Sequence, residues 1–595
     1  MPAYTERIQS FSAQSQKHSG EALTYSLLRG FSFIGLVVCG IFYFQESDPY
    51  WLIGAVLLLI GFILFIGQHR KHEALKEYYE ALIGINQEEL RRSDLKLTEF
   101  ESGEEHLIDN HPNQHDLDTF GKHSLYQLIN RCATSDGKKL LARWLSMQPS
   151  DQDIIERQEA MKELSNDLDW LQRMQAKSRI SVGKKKKNEP TVTADDLLGW
   201  SVLKSNTGNR MLWQAIGSIL VLGIVTTSIF VILDKLPYQV IYLNIFINLI
   251  ALGSIFKKLN LEMKGIGKAQ YLINSYLEVL QVIQSKAYSA SLLKKLTAKL
   301  TQPRKAEIGI RELNQIGHRV SARDNMLYGI ADLLVVPDIF LLLRIYRWKA
   351  TYERDISKWL DALHQFEVLM SIASFAHQHP SYQYPQLSES DFELSGIAIG
   401  HPLIASDIRV NNDYEIKETG AVDIITGSNM SGKSTFQRTL GINIILARLG
   451  APVCAESFRF SNVEVFTSMR TKDNLSENTS SFYAELKRIS QLLETVEKQS
   501  TFFLLDEILK GTNSEDRHLG AVALAEKLST KNAFGLISTH DLTLGALEQT
   551  NNHIRNFSFN SEIKGNKIIF DYRLTPGPCK SFNASQLMRN MGIIE

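Results

Sequence analysis

The sequence predicts an α/β domain on a mostly parallel sheet, C-terminal to an all-α region that carries two apolar helical hairpins. Three observations lead there. The glycine-rich loop Gly427-Ser428-Asn429-Met430-Ser431-Gly432-Lys433-Ser434-Thr435 follows the apolar run 422–426 and opens a helical stretch reaching residue 449. It fits the phosphate-binding pattern G-x-x-x-x-G-K-[ST] at every fixed position. From about Phe392 short β-branched runs alternate with helical stretches, as in a parallel sheet. Before that point lie two pairs of long apolar runs, set among Glu-, Lys- and Leu-rich stretches with helical spacing.

At 595 residues the chain has room for roughly four domains. An apolar fraction of 44% with 22% charged residues excludes a disordered chain. The formal net charge is zero, so contact with nucleic acid would need a local basic surface. Cys39, Cys132, Cys454 and Cys579 are scattered without metal-ligand spacing or a disulfide framework, which fits ordinary thiols in a reducing compartment.

In chain order, residues 1–26 are polar and expected to be mobile. Residues 27–68 read as a first transmembrane hairpin: the runs 27–44 and 50–67 flank Gln45-Glu46-Ser47-Asp48-Pro49, and Arg29 is the one charge inside them. A cleaved signal peptide is a rival reading, opposed by the missing small-residue cleavage pattern and by the second run directly behind. A buried helical hairpin is the other rival. Residues 206–258 read as a second hairpin, with runs 211–233 and 238–256 joined by Asp234-Lys235-Leu236-Pro237. Lys17, His69-Arg70-Lys71-His72, Lys184 to Lys187 and Lys257-Lys258 flank the two pairs. By the positive-inside rule this predicts a multi-pass protein of the cytoplasmic (inner) membrane with its bulk in the cytoplasm. The four-lysine run reads as a solvated loop that could also touch anionic headgroups.

The helical region falls into 69–205 and 259–385, with helices expected over 72–92, 124–145, 151–171, 259–300 and 308–377. His379-Pro380-Ser381 and Tyr384-Pro385 end it. The α/β domain is expected over 386–575 and a short tail over 576–595.

The chemistry gathers in that domain. Glycines let the loop backbone curl so that its N–H groups converge on phosphates, and the following helix N-terminus favours the anion. Lys433 supplies a positive charge and Ser434 a ligand for Mg²⁺, so a nucleoside triphosphate is the expected ligand. The run 502–505 delivers Asp506 and Glu507 to the sheet edge where such folds bind ligands. Asp506 is expected to hold Mg²⁺ through water, and Glu507 to take a proton from, or orient, an attacking water. His540 ends a further strand over 533–538, placed to sense the γ-phosphate.

Together the loop with its Asn-Met-Ser interior, Asp506-Glu507-Ile508 followed by Lys510-Gly511-Thr512-Asn513-Ser514, and Ser538-Thr539-His540 resemble the DNA mismatch-repair MutS family. That resemblance implies an ABC-class P-loop ATPase using ATP and Mg²⁺, with catalytic Lys433, Glu507 and His540. Phe466-Thr467-Ser468-Met469 and Asp473-Asn474-Leu475 through Ser480-Ser481-Phe482 with Glu485-Leu486 are similar to the family's signature segment. The resemblance implies a homodimer in which Ser480 caps the γ-phosphate held by the opposite subunit and Asn429 reaches the nucleotide across the same interface. Asp116-Leu117, Phe120-Gly121 and the stretch from Ser124 to Leu145 resemble the start of the family's helical lever, and residues 359–375 its end. His401-Pro402-Leu403 resembles the entry to the ATPase domain, and Ser581-Phe582-Asn583-Ala584 the dimerisation tail.

The family pattern is broken at Ser428 and Cys454, which replace usual prolines, and at Asn478, which replaces a usual glycine. Nothing before residue 110 resembles the mismatch-reading domain. The resemblance therefore implies a membrane-anchored, dimeric MutS-type ATPase acting on mismatched or structured DNA, with mismatch-repair or membrane proteins as further candidate partners. DNA contact has only Lys294-Lys295, Lys299 and Arg304-Lys305 in its favour locally. The alternatives are an ATP-driven membrane scaffold and a device resembling an ABC transporter, neither acting on DNA.

Overall fold

The structure is a computed structural model that describes residues 2–183, 192–203, 210–323, 325–428, 430–469, 481–564, 567–579 and 594. Two antiparallel helices of 45 residues each, α1 (Pro2–Glu46) and α2 (Pro49–Ser93), open the chain. Ser47 takes a positive φ of 53° at their turn, and the Asp48 carboxylate accepts from Tyr50 N at 3.0 Å to cap α2, with Pro49 in its first turn. The stretch 1–26, expected to be mobile, is helical over its described residues. Arg7 pairs with Asp169 and donates through Nε to Gln172 Oε1 at 3.0 Å, so α1 is pinned well before its apolar run begins.

Eleven further α-helices follow among the described residues of this region: α3 (Leu125–Ile129), α4 (Ser135–Ser146), α5 (Asp151–Ser165), α6 (Leu168–Gly183), α7 (Ala194–Val202), α8 (Arg210–Ile232), α9 (Gln239–Ile283), α10 (Ser291–Thr301), α11 (Ala306–Ala322), α12 (Met326–Val335) and α13 (Pro337–Gln378). Several expected helices are shorter than predicted. The stretch 124–145 divides because the buried Glu367 carboxylate accepts from the N–H groups of Ala133 (2.7 Å) and Thr134 (3.0 Å), and Thr134 then caps α4. The stretch 151–171 divides at Asn166-Asp167, where Asp167 accepts from Trp170 N at 2.9 Å. The stretch 259–300 breaks after Ile283. The stretch 308–377 breaks after Ala322 and again at Val336, where φ is 42° and Pro337 has no N–H to continue α12. Trp359, Phe366 and Phe375 of α13 are fully buried and form the spine of the core, and Tyr276 of α9 meets His364 Nε2 at 2.9 Å beside it. By length and composition α1, α2, α8 and α9 could each cross a membrane.

The C-terminal part holds two sheets. Its strands are β1 (Gln386–Leu387), β2 (Glu393–Ile399), β3 (Asn412–Lys417), β4 (Val422–Gly427), β5 (Ser457–Phe460), β6 (Glu464–Ser468), β7 (Thr501–Asp506), β8 (Ala533–Thr539), β9 (Ile554–Lys564) and β10 (Lys567–Pro576). The six-stranded sheet has the order β10-β9-β4-β8-β7-β6, parallel except for the β10–β9 pair. A smaller sheet has the order β1-β5-β2-β3 and is mostly antiparallel. Helices α14 (Lys433–Arg448), α15 (Ser481–Val496), α16 (Ser514–Leu528) and the short α17 (Leu547–Thr550) connect the strands. All four cysteines are buried, and no disulfide joins them.

The helical region is bolted to this part at its start. Asp116 Oδ2 accepts from Thr467 Oγ1 at 2.7 Å and Met469 N at 3.1 Å, and Asn113 Nδ2 donates to Val465 O at 2.9 Å. Leu117 packs so closely on α14 that a Cβ at Gly441 would lie 2.5 Å from it.

Candidate nucleotide site

Strand β4 is buried at all six positions between β8 and β9, so its C-terminal end is held at the middle of the sheet. The chain then turns through the glycine-rich loop into α14. Gly427 has φ 153°, and a Cβ there would sit 2.8 Å from Phe559 O and 2.8 Å from Ser431 Oγ. Gly432 has φ 109° at the N-cap of α14, a conformation that L side chains rarely adopt. Met430 also has a positive φ, 68°, and its side chain is exposed. Asn429 lies outside the described residues.

The loop encloses polar atoms without partners. The hydroxyls of Ser428 and Ser431 are shielded from solvent and meet no hydrogen-bond partner among the described residues. Such groups carry a desolvation cost until something satisfies them, and an anion cradled by the loop would do so. Lys433 is buried, and its ammonium folds back to donate to Gly427 O at 2.8 Å and Ser428 O at 3.1 Å. Burial holds its proton affinity below the usual lysine range, while Glu507 and Asp506 pull the other way. Ser434 is half-buried in the first turn of α14 and Thr435 is exposed beside it. This constellation fits a triphosphate with Mg²⁺.

The acids reach the same edge because β4, β8 and β7 are neighbours in parallel register, Thr426 opposite Thr539 and Asp506 opposite Ser538. Gln437 of α14 fixes the spacing by donating from Nε2 to Leu505 O at 2.9 Å. Asp506 accepts from Ser538 Oγ. Glu507 takes a positive φ of 49°, and its carboxylate lies between two basic side chains: Oε1 meets His540 Nε2 at 2.7 Å and Oε2 meets Lys510 Nζ at 3.0 Å. The His540 hydrogen bond, with help from Lys510 and against partial burial, lowers the Glu507 carboxyl to about 2. A carboxylate held that low is a fixed acceptor for orienting water and a poor proton store.

A pocket of about 370 Å³ adjoins the loop, lined by His401, Ile408, Thr435, Phe436, Phe559 and Tyr572 among others. Its apolar walls and its place beside Gly432 suit a flat heterocycle. His401 is buried and accepts from Leu403 N at 3.2 Å through Nδ1, and burial lowers it to about 4, so it is neutral at physiological pH. A larger cavity of about 720 Å³, bounded by Arg459, Arg555 and Glu456, includes no described residue of the glycine-rich loop.

Three of these residues had no role read from the sequence. Gln437 and Ser538 matter through partners far along the chain. Lys510 sits in a quoted motif without an assigned role. Glu485 of the signature segment gains a specific part: its buried carboxylate accepts from the backbone N–H groups of Leu509 and Lys510, tying α15 to the segment after Glu507. Ser480 and the stretch 470–479 lie outside the described residues, as do the tail residues 581–584. Lys295 and Lys299, considered for DNA contact, form ion pairs with Glu156 at 2.6 Å and Asp361 at 2.9 Å.

Comparison with known proteins agrees with this geometry. The family described as MutS domain V matches residues 423–590. The DNA mismatch repair protein MutS of Acetivibrio thermocellus is 29% identical over 278 residues, covering 45% of this chain and 32% of that protein. The protein of the same name from Lactobacillus johnsonii is 29% identical over 254 residues, 40% of this chain and 28% of that one. MutS protein homolog 4 of Mus musculus is 33% identical over 223 residues, 35% of this chain and 23% of that one. The chain thus spans a third or less of these relatives, and the family match contains the whole glycine-rich loop, both acids and His540. The C-terminal α/β part of this chain is thus a MutS domain V, matched over residues 423–590.

Proposed function

We propose that the chain is a membrane-anchored MutS-type ATPase that binds ATP with Mg²⁺, hydrolyses it at sites shared between two copies, and transmits the resulting motion through its helices. The observation that supports this most is the meeting of Lys433, the two unpartnered serine hydroxyls, Asp506 and the Glu507–His540 pair at one sheet edge. Lys433, released from Gly427 O and Ser428 O, offsets phosphate charge. The loop N–H groups and the hydroxyls of Ser428 and Ser431 orient the phosphates, and the pocket beside Phe436 receives the base. Ser434 and Asp506 would hold Mg²⁺, which supplies charge neutralisation when bound. Glu507 orients the attacking water, and His540 holds Glu507 in place.

Detergent-purified protein tests this. Lys433→Ala should lose ATP binding, whereas Glu507→Gln should bind ATP and turn it over at least about 10²-fold more slowly. Equal hydrolysis by the Glu507 variant and the parent rejects the assignment. Mixing Lys433→Ala with Ser480→Arg chains should restore partial activity if sites are shared. For the membrane, cysteines placed near Glu46 and Asp234 should react with an impermeant reagent in intact cells, and one at Lys71 should not.

DNA binding is the proposed output, made mainly through phosphates and therefore steeply salt-dependent. The ion pairing of Lys295 and Lys299 favours a second reading, a membrane scaffold switched by ATP without DNA. Absence of duplex, mismatched and branched DNA binding at low salt, with and without ATP, would select it.

A further inference from the structure

Where α1 and α2 emerge from their apolar runs, three side chains converge. His18 and Glu21 lie one helical turn apart on α1, and His72 faces them from α2. His18 Nδ1 stands 2.9 Å from Glu21 Oε2 and 3.1 Å from His72 Nδ1, and His72 Nδ1 stands 2.8 Å from the same Glu21 oxygen. The two imidazoles are largely shielded, 13% and 14% exposed, while Glu21 is 37% exposed and leaves one side of the cluster open to water.

Each neutral imidazole can carry its proton on Nδ1, so the facing nitrogens can hydrogen-bond to one another or to Glu21, the roles set by the tautomer. The three donor atoms nevertheless lie close enough together for one metal ion to engage all of them at once, with the rings in their Nδ1-free tautomers. The surroundings hold the rings in that orientation. Tyr79 stacks on His18 with centroids 5.7 Å apart and 7° between planes, and Tyr25 stacks on His72 at 5.4 Å and 16°. His69, one turn before His72, bonds Ala22 O at 3.0 Å and locks the helix pair just above the cluster.

We propose that His18, Glu21 and His72 form a site for a divalent transition-metal ion of the zinc type, with water at the remaining position. Two imidazoles and one carboxylate are a donor set that zinc takes readily and that calcium or magnesium does not favour. Tetrahedral zinc with bonds of about 2.0–2.1 Å holds its ligand atoms about 3.3 Å apart, so the three atoms need to spread by only a few tenths of an ångström. Because the ligands come from both helices, the ion clasps the root of the hairpin. The inference is independent of the ATPase reading.

The test uses tag-free, full-length protein in detergent, stripped with a chelator and titrated with Zn²⁺ against a chromophoric competitor, and separately with Co²⁺. One ion per chain is expected. His72→Gln and Glu21→Gln should each lose more than the 10–100-fold in affinity that disturbing an outer-shell partner costs, at about unchanged helicity and elution volume. His72→Cys keeps a zinc ligand and should retain the ion, while its Co²⁺ form gains a thiolate charge-transfer band. That variant keeps the test decisive if the glutamine variants misfold. No bound ion in the parent, unchanged affinity in His72→Gln, or a Co²⁺ spectrum unaltered by His72→Cys would overturn the assignment.

Discussion

Hairpins α1–α2 and α8–α9 share an apolar composition but differ in what surrounds them. The most apolar windows of α1 and α2 are 6% and 0% buried, whereas those of α8 and α9 are 17% and 11% buried. Along its apolar length the first pair packs helix on helix, Phe33 against Phe62 at 6.1 Å and Phe42 stacked on Trp51 at 4.8 Å. The second pair is built into the helical region. Asn248 of α9 donates to Leu333 O at 2.8 Å and Leu334 O at 3.0 Å at the end of α12, and a Cβ on Gly217 of α8 would lie 3.1 Å from Phe340 of α13. Just beyond the apolar run, Glu262 of α9 and Lys349 of α13 approach at 2.7 Å while 8% and 4% exposed, an ion pair rather than a directed hydrogen bond. Lys349 also lies over the Trp200 ring at 4.4 Å. Composition marks both pairs as candidates for the bilayer, but only packing separates a tether from a structural member.

The sharpest way to break this contrast is at the buried pair. Lys349→Met strands the Glu262 carboxylate and should cost about 3–5 kcal/mol in denaturant unfolding of the detergent-solubilised protein. Lys349→Met with Glu262→Leu should recover most of that loss. In the first hairpin Arg7→Gln removes a contact to the exposed Asp169 and should cost less than about 1 kcal/mol. Equal costs would erase the distinction.

Next in size, Asn248→Leu leaves two carbonyls of α12 without their donor and should cost about 1–3 kcal/mol, read as faster hydrogen exchange over residues 326–335. Its counterpart, Ser32→Ala, removes only a bond to Leu28 O in its own helix and should change stability by about 0.5 kcal/mol or less.

The smallest effect is one of pH. Asp332 of α12, outside the four candidate spans, is raised to about 6 by burial first and by the Asp338 charge second, with Arg323 and Tyr328 also bonded to Asp338. A carboxyl whose folded-state value lies above its unfolded one contributes stability below about pH 4, which is lost as pH rises through 6. Docking of α12 should therefore tighten between pH 7 and pH 5, beyond the intrinsic change in exchange rate. Asp332→Asn should flatten that profile.

Sequence and structure agree best where chemistry imposes spacing. A phosphate-binding turn needs glycines and a lysine at fixed intervals, so residues 427–435 were legible at once. An apolar run ending in Asp506-Glu507 likewise announces a buried strand with acids at its tip. What escaped was set by distant partners. Glu367 splits the helix predicted over 124–145 from more than two hundred residues away, and nothing within that stretch signals it. Residues 2–26 read as polar and mobile because their partners, Asp169 and Gln172, lie on α6. His401 stands in a recognised tripeptide, yet its place in the pocket wall depends on how that segment meets α14. Val336-Pro337, by contrast, carried its break in plain view, and the expectation of one long helix passed over it.

Helix α9 is one unbroken helix from its apolar run to Ile283. At 1.5 Å per residue its 45 residues make a shaft about 68 Å long. One end lies in a candidate span, and the other is wedged beside α13 through Tyr276 and His364. A shaft of that length pivoting by about 5° displaces its far end by about 6 Å. Under the proposed membrane reading, bilayer thickness and lateral pressure would therefore act as mechanical inputs to the helical core. A nucleotide-driven tilt of the core would in turn be felt in the lipid, without any further moving part.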